Sequence, residues 1–215
     1  MSIRLTLALL ICATPLWADG NIDPTAPAHP GAVALYLQAR PLHDLGQAQK
    51  DPLLVLTAAH ILRGLTLTDT ARTPDPDPAP ETAATLMPLD PATVLDTART
   101  LDAGAMFTDL IDMIARQTGP PPKSLNATAA TLDPAQSQTW TLSFFGGAYA
   151  ELAILGNGAS ALDLRVTDDT GQVICQDKGS SDTALCGFTP AKNGSFTLTV
   201  TNPGTVAGSY ILLTN

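Results

Sequence analysis

From Pro30 onward, apolar positions recur at helical spacing: Val33, Leu35, Tyr36 and Leu37, then Leu42 and Leu45. Pro30 follows His29 as a proline at a first helical position. Pro41 predicts a break or kink, because it lacks the N–H that the helix ladder needs, and Gly46 predicts the stop. Asp51-Pro52 opens a second helix, with Asp51 as N-cap and Pro52 at the first position. Leu53, Leu54, Leu56, Ala59, Ile61 and Leu62 follow, and Gly64 closes it. Residues 65–89 read as a surface loop, since five prolines fall between Thr73 and Pro88 and suit neither helix nor central strand. Asp90-Pro91 repeats the helix start. Val94, Leu95, Ala98 and Leu101 give one apolar face. Gly104 interrupts it, and Met106, Phe107, Leu110, Ile111, Met113 and Ile114 resume it, as one helix with a weak point or as two. Thr118-Gly119-Pro120-Pro121-Pro122 ends helix formation.

After Pro122 the period falls from 3.6 to 2. Trp140, Leu142 and Phe144 alternate with Thr139, Thr141 and Ser143. Leu162, Leu164 and Val166 alternate with Asp163, Arg165 and Thr167, and Phe196, Leu198 and Val200 with Ser195, Thr197, Thr199 and Thr201. Gly146-Gly147, Gly156-Asn157-Gly158, Thr170-Gly171, Asn193-Gly194 and Asn202-Pro203-Gly204 supply the turns. Seven or eight short strands, each with one packed and one wet face, predict an antiparallel β-sandwich rather than a buried parallel sheet. The fold class is therefore segregated α+β. A signal peptide (1–18) and a flexible lead-in (19–29) precede an α-helical region (30–118), a Pro-rich linker (119–123) and the sandwich (124–215).

Composition sharpens this picture in two places. With 45% hydrophobic and 14% charged residues, the chain has enough apolar surface to fold, so a wholly disordered protein is excluded. A formal net charge of −9, from 11 Lys+Arg against 20 Asp+Glu, argues against a nucleic-acid partner. No run of 18 apolar residues predicts a transmembrane helix. Met1 to Ala18 has a basic Arg4, a short apolar core over Leu5 to Thr14, and a small residue before Asp19, the pattern of a secretory leader. Cys12 would leave with it. Cys175 and Cys186 then form an even pair in an oxidising periplasmic or extracellular compartment, which predicts one disulfide.

Two stretches resemble known families. Leu45-Gly46, Asp51-Pro52-Leu53 and Ala58-Ala59 resemble the helical hairpins of tetratricopeptide-like α-repeats, over about 35 residues, without a second copy at a fixed period. In the sandwich the resemblance is carried by Trp140-Thr141-Leu142, by Ala161-Leu162-Asp163-Leu164-Arg165-Val166, and by Asp168 with Gly171. Phe188-Thr189-Pro190, Asn193-Gly194-Ser195-Phe196 and Gly208-Ser209-Tyr210-Ile211-Leu212 continue it in order. This part resembles the bacterial pre-peptidase C-terminal domain. The resemblance implies a non-catalytic module of exported proteins, some members of which bind polymeric substrate or calcium. Ala161 stands where the family often has the first acid of an Asp-Leu-Asp-Leu string.

Candidate chemistry is sparse. Calcium is the one cofactor left open: Asp163, Asp168 and Asp169 are the candidate ligands, against a plain turn in which Asp bonds nearby backbone and Gly171 takes positive φ. The histidines are His29, His43 and His60. His43 adjoins Asp44, and adjacent helix positions are not expected to face one another. His60 sits in the apolar second helix. No G-x-S-x-G, H-E-x-x-H or Cys–His cluster is present. The acids are 18 Asp and two Glu, Glu81 and Glu151, from which no glycosidase pair can be chosen. The reading that follows is an exported, non-catalytic binding module with a protein or polysaccharide partner. A hydrolase using His60 or a loop carboxylate is the rival, and a calcium-stabilised module the third.

Overall fold

The computed structural model describes residues 20–27, 30–75, 86–117 and 122–215. The leader, Cys12, His29, Glu81, most of the proline-rich run and most of the 119–123 linker lie outside these residues. The elements are α1 (Ala32–Gln49), α2 (Pro52–Leu62), β1 (Leu65–Asp69), α3 (Pro91–Leu101), α4 (Thr108–Arg116), β2 (Lys123–Leu132), β3 (Ser137–Phe144), β4 (Ala150–Gly156), β5 (Asp163–Thr167), β6 (Val173–Asp177), β7 (Thr183–Phe188), β8 (Gly194–Thr201) and β9 (Gly208–Thr214). Two sheets stack: β1-β2-β9-β4-β7 and β3-β8-β5-β6. All strand pairs of the sandwich are antiparallel except β1–β2, which is parallel from Leu65↔Lys123 to Asp69↔Ala127. The α+β class and the antiparallel sandwich of seven or eight strands expected after Pro122 are both present, the latter with eight strands, β2 to β9.

The five-stranded sheet is the middle layer. On one face Leu132, Leu152, Ile154, Tyr210 and Leu212 meet Trp140, Leu164, Val166, Phe196 and Leu198 of the other sheet. On its other face Leu125, Ala127, Ala153, Ile211 and Leu213 share a core with Val33 and Tyr36 of α1, Val55, Leu56 and Leu62 of α2, and Val94 of α3. Every residue of β9 is consequently buried. The expectation of one wet face per strand fails at β2, β4 and β9, because the helical layer covers the face that a two-layer sandwich would leave in water. The α1–α2 hairpin therefore packs on a sheet and not on further hairpins of its kind.

Both open sides of the sandwich are closed. The disulfide Cys175–Cys186 joins the edge strands β6 and β7, as the cysteine pair predicted. On the opposite side the chain leaving β1 crosses to the second sheet, where Asp75 and Thr139 exchange backbone hydrogen bonds at 2.8 and 2.9 Å. Residues 65–69, expected as loop, form β1 because Leu65 is buried in the helix–sheet core and the backbone completes the edge of the sheet.

Local signals held where capping decides them. Asp51 accepts from the Leu53 and Leu54 amides, and Asp90 from Thr93. The third apolar run splits at Gly104 into two helices, with Asp102 accepting from Met106 and Phe107 across the break. In α1 three expectations change. Pro30 precedes the helix, and Gly31 is the N-cap. Pro41 lies inside an unbroken helix, on its exposed side, where water can satisfy the carbonyl that loses its partner. Gly46 is buried in the last turn of the helix, and the stop comes at Lys50 with φ 56°. A Cβ on Gly46 would fall 2.6 Å from Val55 Cγ2 and 2.9 Å from the Val55 nitrogen, so glycine sets the approach of α1 to α2. Asn21, expected in a flexible lead-in, is buried. Its amide N–H donates to Asp168 at 2.8 Å, and its side chain bonds both the N–H and the carbonyl of Lys192.

Candidate functional site

A groove of about 800 Å3 lies between α2 and α4. Its α2 wall is Leu53, Leu56, Thr57 and His60, an i, i+3, i+4, i+7 stripe. Its other wall is Leu110, Met113, Ile114 and Arg116 of α4, with Gln117 following. Leu56 and Ile114 are buried at its floor, while Leu53 and Met113 stand 46% and 59% exposed along it. The groove exists because α2 packs against α1 and α3, whereas α4 packs on α3. The two C-terminal ends meet: the Arg63 guanidinium donates to the Gln117 carbonyl at 3.2 Å. His60, Arg63 and Arg116 thus cluster at one end, where cations also suit the negative ends of both helix dipoles.

The hydrolase rival required His60 to meet an acid and a hydroxyl in one pocket. Thr57 lines the groove with it, and no carboxylate does among the described lining residues. His43 behaves differently from expectation. Its Nδ1 lies 3.0 Å from Asp44 Oδ1 despite their adjacency. Its Nε2 lies 2.8 Å from the Gln47 amide nitrogen, and Arg40 pairs with Asp44 at 2.7 Å. Both ring nitrogens are engaged, so the dyad offers no open base to a substrate.

The calcium candidates do not converge. Asp168 is buried and spends its oxygens on the protein: Oδ1 accepts from the Thr170 amide, the Thr170 hydroxyl and the Gln172 amide, and Oδ2 from the Asn21 amide. Burial pushes its pKa up, but the bonds from Thr170, Asn21 and Gln172 outweigh that and hold it below the ordinary aspartate value. Gly171, at φ 82°, completes the turn. Asp169 is exposed in the same turn and Asp163 half-exposed in β5. Among the described residues no three Asp, Glu, His or Cys side chains gather into a group suited to a metal ion. The donor set does not fit calcium, whose site needs six or more oxygens free to turn toward it.

Sequence reasoning passed over Glu151. It is 1% exposed on β4, facing the helices, and its carboxylate accepts from the amides of Gly31 (2.7 Å), Val33 (3.0 Å) and Ala34 (3.4 Å). Helix α1 has no side-chain cap of its own, so a strand residue far along the chain supplies one. The available signal was a lone acid at the head of the apolar string Glu151-Leu152-Ala153-Ile154-Leu155, which must find donors if that strand is buried.

No protein-family model matches the chain, and none of the curated proteins matches it. Solved structures do. The chain is similar to the pre-peptidase C-terminal domain of a collagenase from Bacillus anthracis, at 14% identity over 40% of this chain and 86% of that one, with a TM-score of 0.36. It is also similar to Aeromonas hydrophila PliG, a periplasmic inhibitor of g-type lysozyme, at 11% identity over 42% and 84% of the two chains, with a TM-score of 0.33. The C-terminal CBM6 of LamC from Zobellia galactanivorans matches at 8% identity over 39% and 75%, with a TM-score of 0.27.

Proposed function

We propose that the protein is an exported, non-catalytic interaction module that holds a segment of a protein partner in the α2–α4 groove. The observation that carries this is the groove itself: an apolar trough with large side chains left in water on both walls. Contiguous exposed apolar surface rimmed by polar residues is characteristic of interaction sites. Met113, on the α4 wall of the groove, is 59% exposed. Flexible, polarisable methionine suits a surface that adapts to a partner. A polysaccharide is favoured less, because sugar rings stack on exposed aromatics and the groove has none among its described lining residues. The disulfide supports an oxidising compartment.

The test is affinity capture from extracts of the source cells with the full chain, wild type against Leu53→Asp/Met113→Asp. Both positions are exposed, so circular dichroism should be unchanged. The expected result is a defined protein retained by wild type and lost from the variant. Identical retained sets would refute the reading.

A further inference from the structure

We infer that the occupant of the groove is an amphipathic helix of the partner, lying antiparallel to α2 and α4 and carrying carboxylates in its first turn. This rests on the groove being the binding site. Both walls repeat at i, i+3 or i+4, and i+7, so they present ridges that accept the ridges of a third helix. The stripe from Leu53 to His60 rises roughly 10 Å at 1.5 Å per residue, so an occupant of about three turns covers it.

Orientation follows from charge. In a chain of net charge −9, the joined C-terminal ends of α2 and α4 present His60, Arg63 and Arg116. The opposite ends carry Asp51 and Asp109, the cap of α2 and the first-turn acid of α4. Arg116 is 81% exposed; it is 3.4 Å from Asp112, which also lies 3.8 Å from Arg99 of α3. An antiparallel helix brings its positive N-terminal end to the negative C-terminal ends of its neighbours. Acids in that first turn stabilise the helix itself and face the three basic side chains.

The experiment selects helix-forming peptides displayed on phage against the full chain, with counter-selection on Leu53→Asp/Met113→Asp. Enriched peptides should place Asp or Glu in the first turn, ahead of apolar residues at i, i+3, i+4 and i+7. Calorimetry with the tightest peptide should show about tenfold weaker binding to Arg116→Glu, recovered when the first-turn acids are changed to Lys, as expected for a close interfacial charge pair. Groove-dependent peptides without an acidic first turn, with acids at the C-terminal end instead, or unmoved by Arg116→Glu would overturn the acidic antiparallel helix and leave the groove standing. Peptides that still bind Leu53→Asp/Met113→Asp, or no enrichment at all, would overturn the groove as a binding site and this inference with it.

Discussion

Glu151→Gln tests how the helical layer is fastened to the sandwich. The carboxylate accepts three amide hydrogens at the N-terminus of α1, at 2.7, 3.0 and 3.4 Å. Glutamine keeps the shape and one acceptor, but turns N–H toward N–H on the other side and removes the charge. Two effects oppose one another. A buried carboxylate carries a desolvation penalty of several kcal/mol, and neutralising it relieves that penalty. Against this, the helix amides remain where they are: Val33 is 0% exposed, and the residue ahead of the helix supplies no side-chain cap. Stranding one such donor costs about 1–3 kcal/mol, and losing a charge at a partly buried helix end costs up to about 2 kcal/mol.

Unmade donors decide the sign, since the single glutamine oxygen can stand in for Oε2, which accepts from Val33 and Ala34, or for Oε1, which accepts from Gly31, but not for both. The expected loss is about 2 kcal/mol, and about 4 kcal/mol for Glu151→Ala, which leaves all three amides unmet. At about 2–4 °C per kcal/mol for a domain of this size, Glu151→Gln should melt roughly 4–8 °C below wild type. Urea titration followed by circular dichroism measures it, with calorimetry as the check. Equal stability of Glu151→Gln and wild type, within 0.5 kcal/mol as a rough error, would show that desolvation cancels the cap and would refute the reasoning.

Four further outcomes are expected. Gly46→Ala should destabilise by about 1–3 kcal/mol through overpacking on Val55, and Val55→Ala should restore only part of it in a double-mutant cycle because the Val55 backbone stays close. Asp168→Asn should cost about 1–2 kcal/mol at pH 7. Because Asp168 binds its proton less readily folded than unfolded, its contribution is present above the unfolded aspartate pKa of about 3.9 and fades as pH falls through the lower folded value, so the two stability curves should converge in acid. Calcium and a chelator should leave the melting temperature of the oxidised protein where it is; a rise with calcium would mean the Asp168 turn opens to a metal. Replacing Cys175 and Cys186 together by Ala should cost roughly 2–3 kcal/mol for so short a loop, read by urea unfolding, and an unchanged midpoint would show that the bridge adds no stability.

Local features were legible where local chemistry sets them. Asp51, Asp90 and the glycine-bearing turns announce themselves because a cap or a positive φ needs particular residues within three or four positions. The alternation at Trp140–Leu142–Phe144 and Phe196–Leu198–Val200 was legible because those strands have one packed face. It failed at β9, where Tyr210-Ile211-Leu212-Leu213 is apolar throughout: a strand buried on both faces has no period to read. The cause lies about 150 residues earlier, in helices that cover the sheet. Residues 65–69 were missed for the same reason, since a parallel edge strand is defined by its neighbour β2 and not by its own sequence.

Of the candidate site, the sequence showed each wall but not the gap between them. Leu53 and Leu56 belong to one apolar helical run, with His60 inside it, and Leu110, Met113 and Ile114 belong to another. What separates core from groove is that α4 rests on α3 and leaves α2 unpaired on that side, a matter of where the helices lie on the sheet. Exposed methionine is the physical trace of that choice. Leucine or isoleucine would cost as much to leave in water, but the unbranched side chain adapts more readily to changing surroundings. The helical layer therefore does two jobs on its two sides. Toward the sheet it is fastened by the Glu151 cap, and within itself by the close approach of α1 to α2 at Gly46; away from the sheet it leaves an apolar trough open, and on the reading proposed above that rigidity holds the trough in shape.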